Sequence, residues 1–198
     1  MDERLRVLKL LEEKKISVDE ALRLLNALSR ESKESKESMK ERMEEEFNDI
    51  EMVIINSEEG DIELKEGDEF YVDCDGEYDF RREGKNGIIN LEGDAEIIIK
   101  KGKKVFVSIL YGDIEAYVSN DFACYSNYGD IELFVLEPIN IDIKNSYGDT
   151  EVIYFKEPYA EFELVADYGD IDNEFEFSKG EKKVRIKNLY GDIEIRRK

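Results

Sequence analysis

The chain reads as mainly β: a single-stranded parallel β-solenoid, β-helix-like, of about eight coils, preceded by a small α-helical hairpin. Three observations predict this. Gly-Asp, then an apolar residue (Thr at one site), then an acid recurs at Gly60, Gly93, Gly112, Gly129, Gly148, Gly169 and Gly191, with Tyr before each Gly from Gly112 onward. Such self-similarity marks stacked repeat architectures. Apolar residues alternate on both sides of each Gly, as in half-buried strands. The Gly-Asp corner is constant while the return loop varies in length, which simple hairpins with tight turns at both strand ends would not show. The spacings are 33, 19, 17, 19, 21 and 22 residues, the first becoming 16 plus 17 if Gly76 marks a further, eroded coil.

Taken in order, residues 1–28 form the hairpin. Leu5, Leu8 and Leu11 share one helical face and Leu22, Leu25 and Leu28 another, while Ser17 followed by Glu20 is a capping-box start. Below ~40 residues a fold rarely buries a sufficient core alone. These six leucines are therefore the candidate partner-binding residues, packing on the solenoid, on a second copy or on another protein. Residues 29–48 are a charged linker or solvated helix, nearly free of apolar residues.

Residues 49–198 are the repeat. Counting each Gly as zero, minus seven (Val53, Val105, Phe122, Ile141, Phe162, Val184) and minus five (Ile55, Ile88, Val107, Cys124, Ile143, Leu164, Ile186) point inward. Past the corner, plus two (Ile62, Ala95, Ile114, Ile131, Thr150, Ile171, Ile193) and plus four (Leu64, Ile97, Ala116, Leu133, Val152, Asn173, Ile195) do the same. Small or amide residues at minus three (Ser57, Asn90, Ser126, Asn145, Asn188) suggest a hydrogen-bonded ladder. Tyr111, Tyr128, Tyr147, Tyr168 and Tyr190 suggest a stacked row.

On this pattern the chain resembles the bacterial and archaeal domain of unknown function labelled "putative adhesin". The segment Leu5 to Leu25 looks like the helical hairpin that often precedes it, with Lys14 where the family commonly has Gly. The resemblance implies a non-enzymatic protein, in some members tied to the cell-envelope stress response, and supplies no catalytic residues.

Charge narrows the partners. The net charge is -21, and residues beyond Asn48 hold 18 basic against 37 acidic side chains. Such a field repels nucleic acid and anionic membranes. No stretch suits membrane insertion and Met1-Asp2-Glu3-Arg4 opens no signal peptide, so a cytoplasmic location is expected, with membrane association only through a partner. Cys74 and Cys124 read as free, buried thiols.

No His is present, and the acids follow the repeat instead of breaking it in one groove, so no enzyme and no cofactor is expected. The acidic rows carry the one weak metal candidacy, for calcium, at Asp113, Asp130, Asp149, Asp170 and Asp192. Asp closing a turn is the favoured reading of them, since Asp and Gly are ordinary turn residues. The sequence thus points to an adhesin-like scaffold that docks on a protein partner or self-associates through the hairpin. The alternatives are a self-assembling polymer growing from an exposed last coil, or a calcium-binding acidic repeat.

Overall fold

The computed structural model describes residues 3–13, 15–175 and 180–198, and their side chains outside 3–5 and 26–37. Lys14, at the predicted hairpin turn, lies outside the described residues, as do the side chains of Leu5 and Leu28. The chain divides into two compact units, Met1–Arg42 and Met43–Lys198.

The first unit holds α1 (Glu3–Glu12) and most of α2 (Val18–Phe47). Ser17 starts α2 through a reciprocal box: its Oγ accepts the Glu20 N–H at 3.2 Å, and the Glu20 carboxylate accepts the Ser17 N–H at 2.8 Å. That backbone hydrogen bond from Ser17 holds the Glu20 carboxyl below its ordinary pKa. Val7 and Ala21 are buried. Beyond them α2 runs unbroken through the charged stretch.

In the second unit each Gly corner joins a strand of one sheet to a strand of the other. β1 (Met52–Glu59) and β2 (Ile62–Gly67) flank Gly60; β3 (Tyr71–Cys74) and β4 (Glu77–Glu83) flank Gly76; β5 (Asn86–Glu92) and β6 (Ala95–Lys100) flank Gly93. β7 (Lys104–Tyr111) and β8 (Ile114–Val118) flank Gly112, and β9 (Phe122–Tyr128) and β10 (Ile131–Val135) flank Gly129. β11 (Ile141–Tyr147) and β12 (Thr150–Tyr154) flank Gly148, β13 (Ala160–Tyr168) and β14 (Ile171–Asn173) Gly169, and β15 (Lys182–Tyr190) and β16 (Ile193–Arg197) Gly191.

The single-stranded parallel solenoid of about eight coils is corrected by this arrangement. The strands form two eight-stranded mixed sheets, ordered β13-β15-β11-β9-β7-β1-β5-β4 and β14-β16-β12-β10-β8-β2-β6-β3. β3 pairs antiparallel with β6, and β4 with β5, while the other pairings are parallel. The cause is local: Gly84, at φ 63°, and Lys85 make a tight turn that folds β4 straight back onto β5. The stacking also departs from chain order. The Gly60 unit lies between those of Gly93 and Gly112, and the final Gly191 unit between those of Gly148 and Gly169. The chain's last strands are thus interior, and the terminal unit at that end of the stack is the Gly169 unit.

The core fills the space between the sheets. Val53, Ile55, Val105, Val107, Ile114, Leu133, Ile143, Ile186 and Ile195 are buried, each worth about 1.5–3 kcal/mol of apolar transfer. The Gly93 unit is one residue short in phase: Ile55 pairs with Ile89 and Asn56 with Asn90. Ile88, predicted to point inward, therefore pairs with Ile54 on the outer face while Ile89 lies inside, and Asn90 leaves the predicted inner ladder and accepts from Asn56 Nδ2 on the outer face at 2.9 Å. At the β4 end Phe47 meets Phe70 and Phe80 edge to face at 5.4 and 5.8 Å. It lies so close to Gly87 that a Cβ there would sit 2.7 Å from its ring. Helix and antiparallel strands together close that end.

Candidate functional site

Four surfaces carry the residues singled out by sequence. The first is the corner. Each Asp carboxylate accepts the backbone N–H of the Asp in the adjoining unit: Asp113 from Asp130, Asp130 from Asp149, Asp149 from Asp192 and Asp192 from Asp170, each at 2.8 Å. The series continues through Asp61, Asp94 and Asp75. Of the calcium candidates, Asp113, Asp130, Asp149 and Asp192 spend an oxygen on this ladder, whereas Asp170 is the terminal member. Among the described residues no group of three or more acidic, Cys or His side chains is arranged to hold a metal ion.

Beside the corner stand the tyrosines. Rings of Tyr111, Tyr128, Tyr147, Tyr190 and Tyr168 stack in that order at 5.0, 4.8, 4.9 and 4.8 Å, within 13° of parallel. The row was legible in the sequence, but Tyr190 precedes Tyr168. All five rings are exposed. Just inside, Asn145 Nδ2 donates to the Gly129 carbonyl at 2.9 Å and buried Asn188 accepts from Thr150 Oγ1 at 2.9 Å.

The third surface is the outer face of the β14–β3 sheet, where Glu96, Glu63, Glu115, Glu132, Glu151, Glu194 and Asp172 lie in register. Like charges at strand spacing repel. Lys65 bridges Glu63 and Glu96 at 2.5 and 3.3 Å, and Arg196 pairs with Glu151 and Glu194. Glu132 lies between these clamps. Desolvation, then the charges of Glu151 and Glu115, raise its pKa.

The fourth surface is the helical unit. Leu8 and Leu22 are 48% and 53% exposed, while Leu11 and Leu25 are half-buried. Sequence reasoning missed Val18 and Leu24, which are also exposed in α2. It also missed that, among the described side chains of this unit, Val7 and Ala21 are buried and the leucines are not, because grouping by leucine spacing alone ignored the smaller side chains. Of the thiols, Cys124 is buried as expected, whereas Cys74 is only half-buried, its Sγ 3.9 Å from the Glu77 carbonyl. No helix among the described residues is long and apolar enough to cross a membrane.

Fold and surfaces together define a mainly β protein of two mixed sheets with a helical N-terminal segment. That segment, over residues 2–33, matches the model of a SHOCT-like domain. The whole is similar to the crystal structure of a "putative cell adhesion protein" from Clostridium sporogenes, at a TM-score of 0.58 and 14% identity, covering 77% of this chain and 96% of the other. At that identity the likeness is one of fold. No curated protein matches the chain.

Proposed function

We propose that the protein is a non-enzymatic, adhesin-like interaction protein of the cytoplasm, acting as an envelope-stress adaptor that docks or self-associates through its N-terminal helices. The observation that carries this is the exposure of Leu8, Val18, Leu22 and Leu24 on a small helical unit. Large apolar side chains left exposed on so small a unit point to an interaction surface. The SHOCT-like match over the same residues and the adhesion-protein likeness of the sheets support the reading. The acidic, aromatic-rowed sheets serve as a rigid scaffold, with their carboxylates spent on corners and ion pairs.

The test compares the full chain with its Leu8→Glu/Leu22→Glu variant by sedimentation velocity over a wide concentration range and by crosslinking capture from cells. Association, with itself or with one membrane or signalling protein, is expected for the wild type and lost in the variant. Identical sedimentation and identical captured proteins for both would overturn the proposal.

A further inference from the structure

The two ends of the sheet stack differ. At the β4 end, antiparallel strands and Phe47 cover the core. At the other, β13 and β14 are terminal in their sheets. Phe175 covers part of that end, stacking on Phe162 at 6.2 Å and meeting Tyr154 edge-on at 5.4 Å. The rest is open. Ile171 is 45% exposed, whereas the equivalent Ile131 and Ile193 are each 1% exposed. Leu164 is only half-buried beside fully buried Ile186.

The corner is unfinished in a defined way. In the interior units, the Gly N–H donates to the Tyr carbonyl of the next unit, as from Gly191 to Tyr168 at 3.2 Å. The N–H two residues on donates to the next Asp carbonyl, as from Ile193 to Asp170 at 2.9 Å. Among the described residues, Gly169 and Ile171 find no such carbonyl, and the Asp170 carboxylate receives no such N–H. Two donors and one acceptor thus await one more backbone. Along β13, carbonyl and N–H of one residue point the same way and alternate. Since the Tyr168 carbonyl faces β15, those of Glu163, Val165 and Asp167 face the open edge.

Charge states what fits there. The outward side chains of β13 include Glu161, Glu163 and Asp167, all exposed. On their inner side β15 answers them with cations: Arg185 reaches Glu163 at 3.2 Å and Lys187 reaches Asp167 at 3.5 Å. A second copy fails this requirement at either end. Its own β13 brings the same acids, and its β4 presents Glu77, Asp79 and Glu83 around a lone outward Arg81. We propose that the β13–β14 edge is a strand-addition site for an extended segment of a partner protein, one with outward Lys or Arg alternating with inward apolar residues. The added strand runs parallel to β13 and supplies carbonyls to Gly169 and Ile171 and an N–H to Asp170. Backbone pairing provides the affinity and the alternation the selectivity.

The probe is a synthetic peptide with the sequence of residues 182–198, which has this alternation, titrated into the full chain by fluorescence anisotropy. Saturable binding is expected, weakened about tenfold or more by Val165→Pro, which removes an edge donor without touching the β15 ladder. Glu161→Lys, at the start of β13 and away from Gly169, Asp170 and Ile171, weakens it several-fold and flattens its salt dependence. Hydrogen exchange places the new protection at Glu163 to Asp167, and Leu8→Glu/Leu22→Glu leaves the affinity unchanged, which separates this site from the helices. Equal binding of a peptide with its cations changed to Glu, protection elsewhere, or a dimer of the chain alone that Val165→Pro dissolves would each overturn the proposal.

Discussion

Replacing Gly129 by Ala should unfold the sheet stack far more readily than replacing Gly102 by Ala, although both glycines have positive φ. Gly129 sits at φ 138° and Gly102 at 86°. A Cβ on Gly129 would lie 2.0 Å from the Gly112 carbonyl oxygen and 2.6 Å from its carbon, whereas on Gly102 it would meet nothing within 4 Å. At Gly102 the cost is the conformational one alone, about 1–2 kcal/mol. At Gly129 backbone strain of about 1–3 kcal/mol is joined by overpacking of similar size, because the opposing atom is backbone held in both sheets and cannot rotate away. The sum is about 2–6 kcal/mol. Urea unfolding followed by circular dichroism reads it as a fall in midpoint at unchanged slope. Equal losses for the two variants would refute the claim that close approach of neighbouring corners, and not φ, fixes glycine at this position.

Glu132→Gln should stabilise the fold at neutral pH by about 0.5–1 kcal/mol, by relieving the repulsion from Glu151 and Glu115. Because the folded-state pKa of Glu132 is raised, its ionisation costs stability above that pKa and the cost vanishes as the carboxyl protonates below its unfolded value. The advantage of Gln therefore fades on acidification, which thermal melts across pH check. Tyr154→Phe should raise stability by up to about 1 kcal/mol, since the buried Tyr154 hydroxyl has no partner among the described residues. Burial pushes its pKa up. Burial likewise raises the pKa of the Cys124 thiol, so a thiol reagent followed by mass spectrometry should label Cys74 in the folded protein and Cys124 only on unfolding.

The periodic content of the chain was legible. Alternation fixed the inner rows from Val53 to Ile195, and phase placed the Tyr row and the Asp corner. What phase cannot reveal is adjacency. Equivalent residues stay equivalent however the units are shuffled, and so the insertion of the Gly60 and Gly191 units between others left no mark in the spacing. The antiparallel strands β3 and β4 did leave one, in the single 33-residue gap and in Gly84-Lys85, a tight-turn pair lying between two alternating runs. Asn90 was misplaced because one residue is missing before Gly93, and a shift of one residue exchanges the faces of a strand. Of the candidate site, the leucine stripes identified the helical unit but not which side chains it leaves exposed. The open edge at β13 was beyond reach, since its existence depends on the order of units.

That order is the claim on which both the fold and the open edge rest, and paired cysteines at the solvent-facing acids test it directly, in a background with Cys74 replaced by Ser. Asp172 adjoins Glu194, and Glu194 adjoins Glu151. Neighbours at about 4.8 Å lie within the reach of a disulfide, and positions two strands apart do not. Asp172→Cys/Glu194→Cys and Glu151→Cys/Glu194→Cys should crosslink rapidly on mild oxidation, while Glu151→Cys/Asp172→Cys stays reduced; rapid closure of that last pair, with Glu151→Cys/Glu194→Cys open, would mean that the units stack in chain order and would contradict the account.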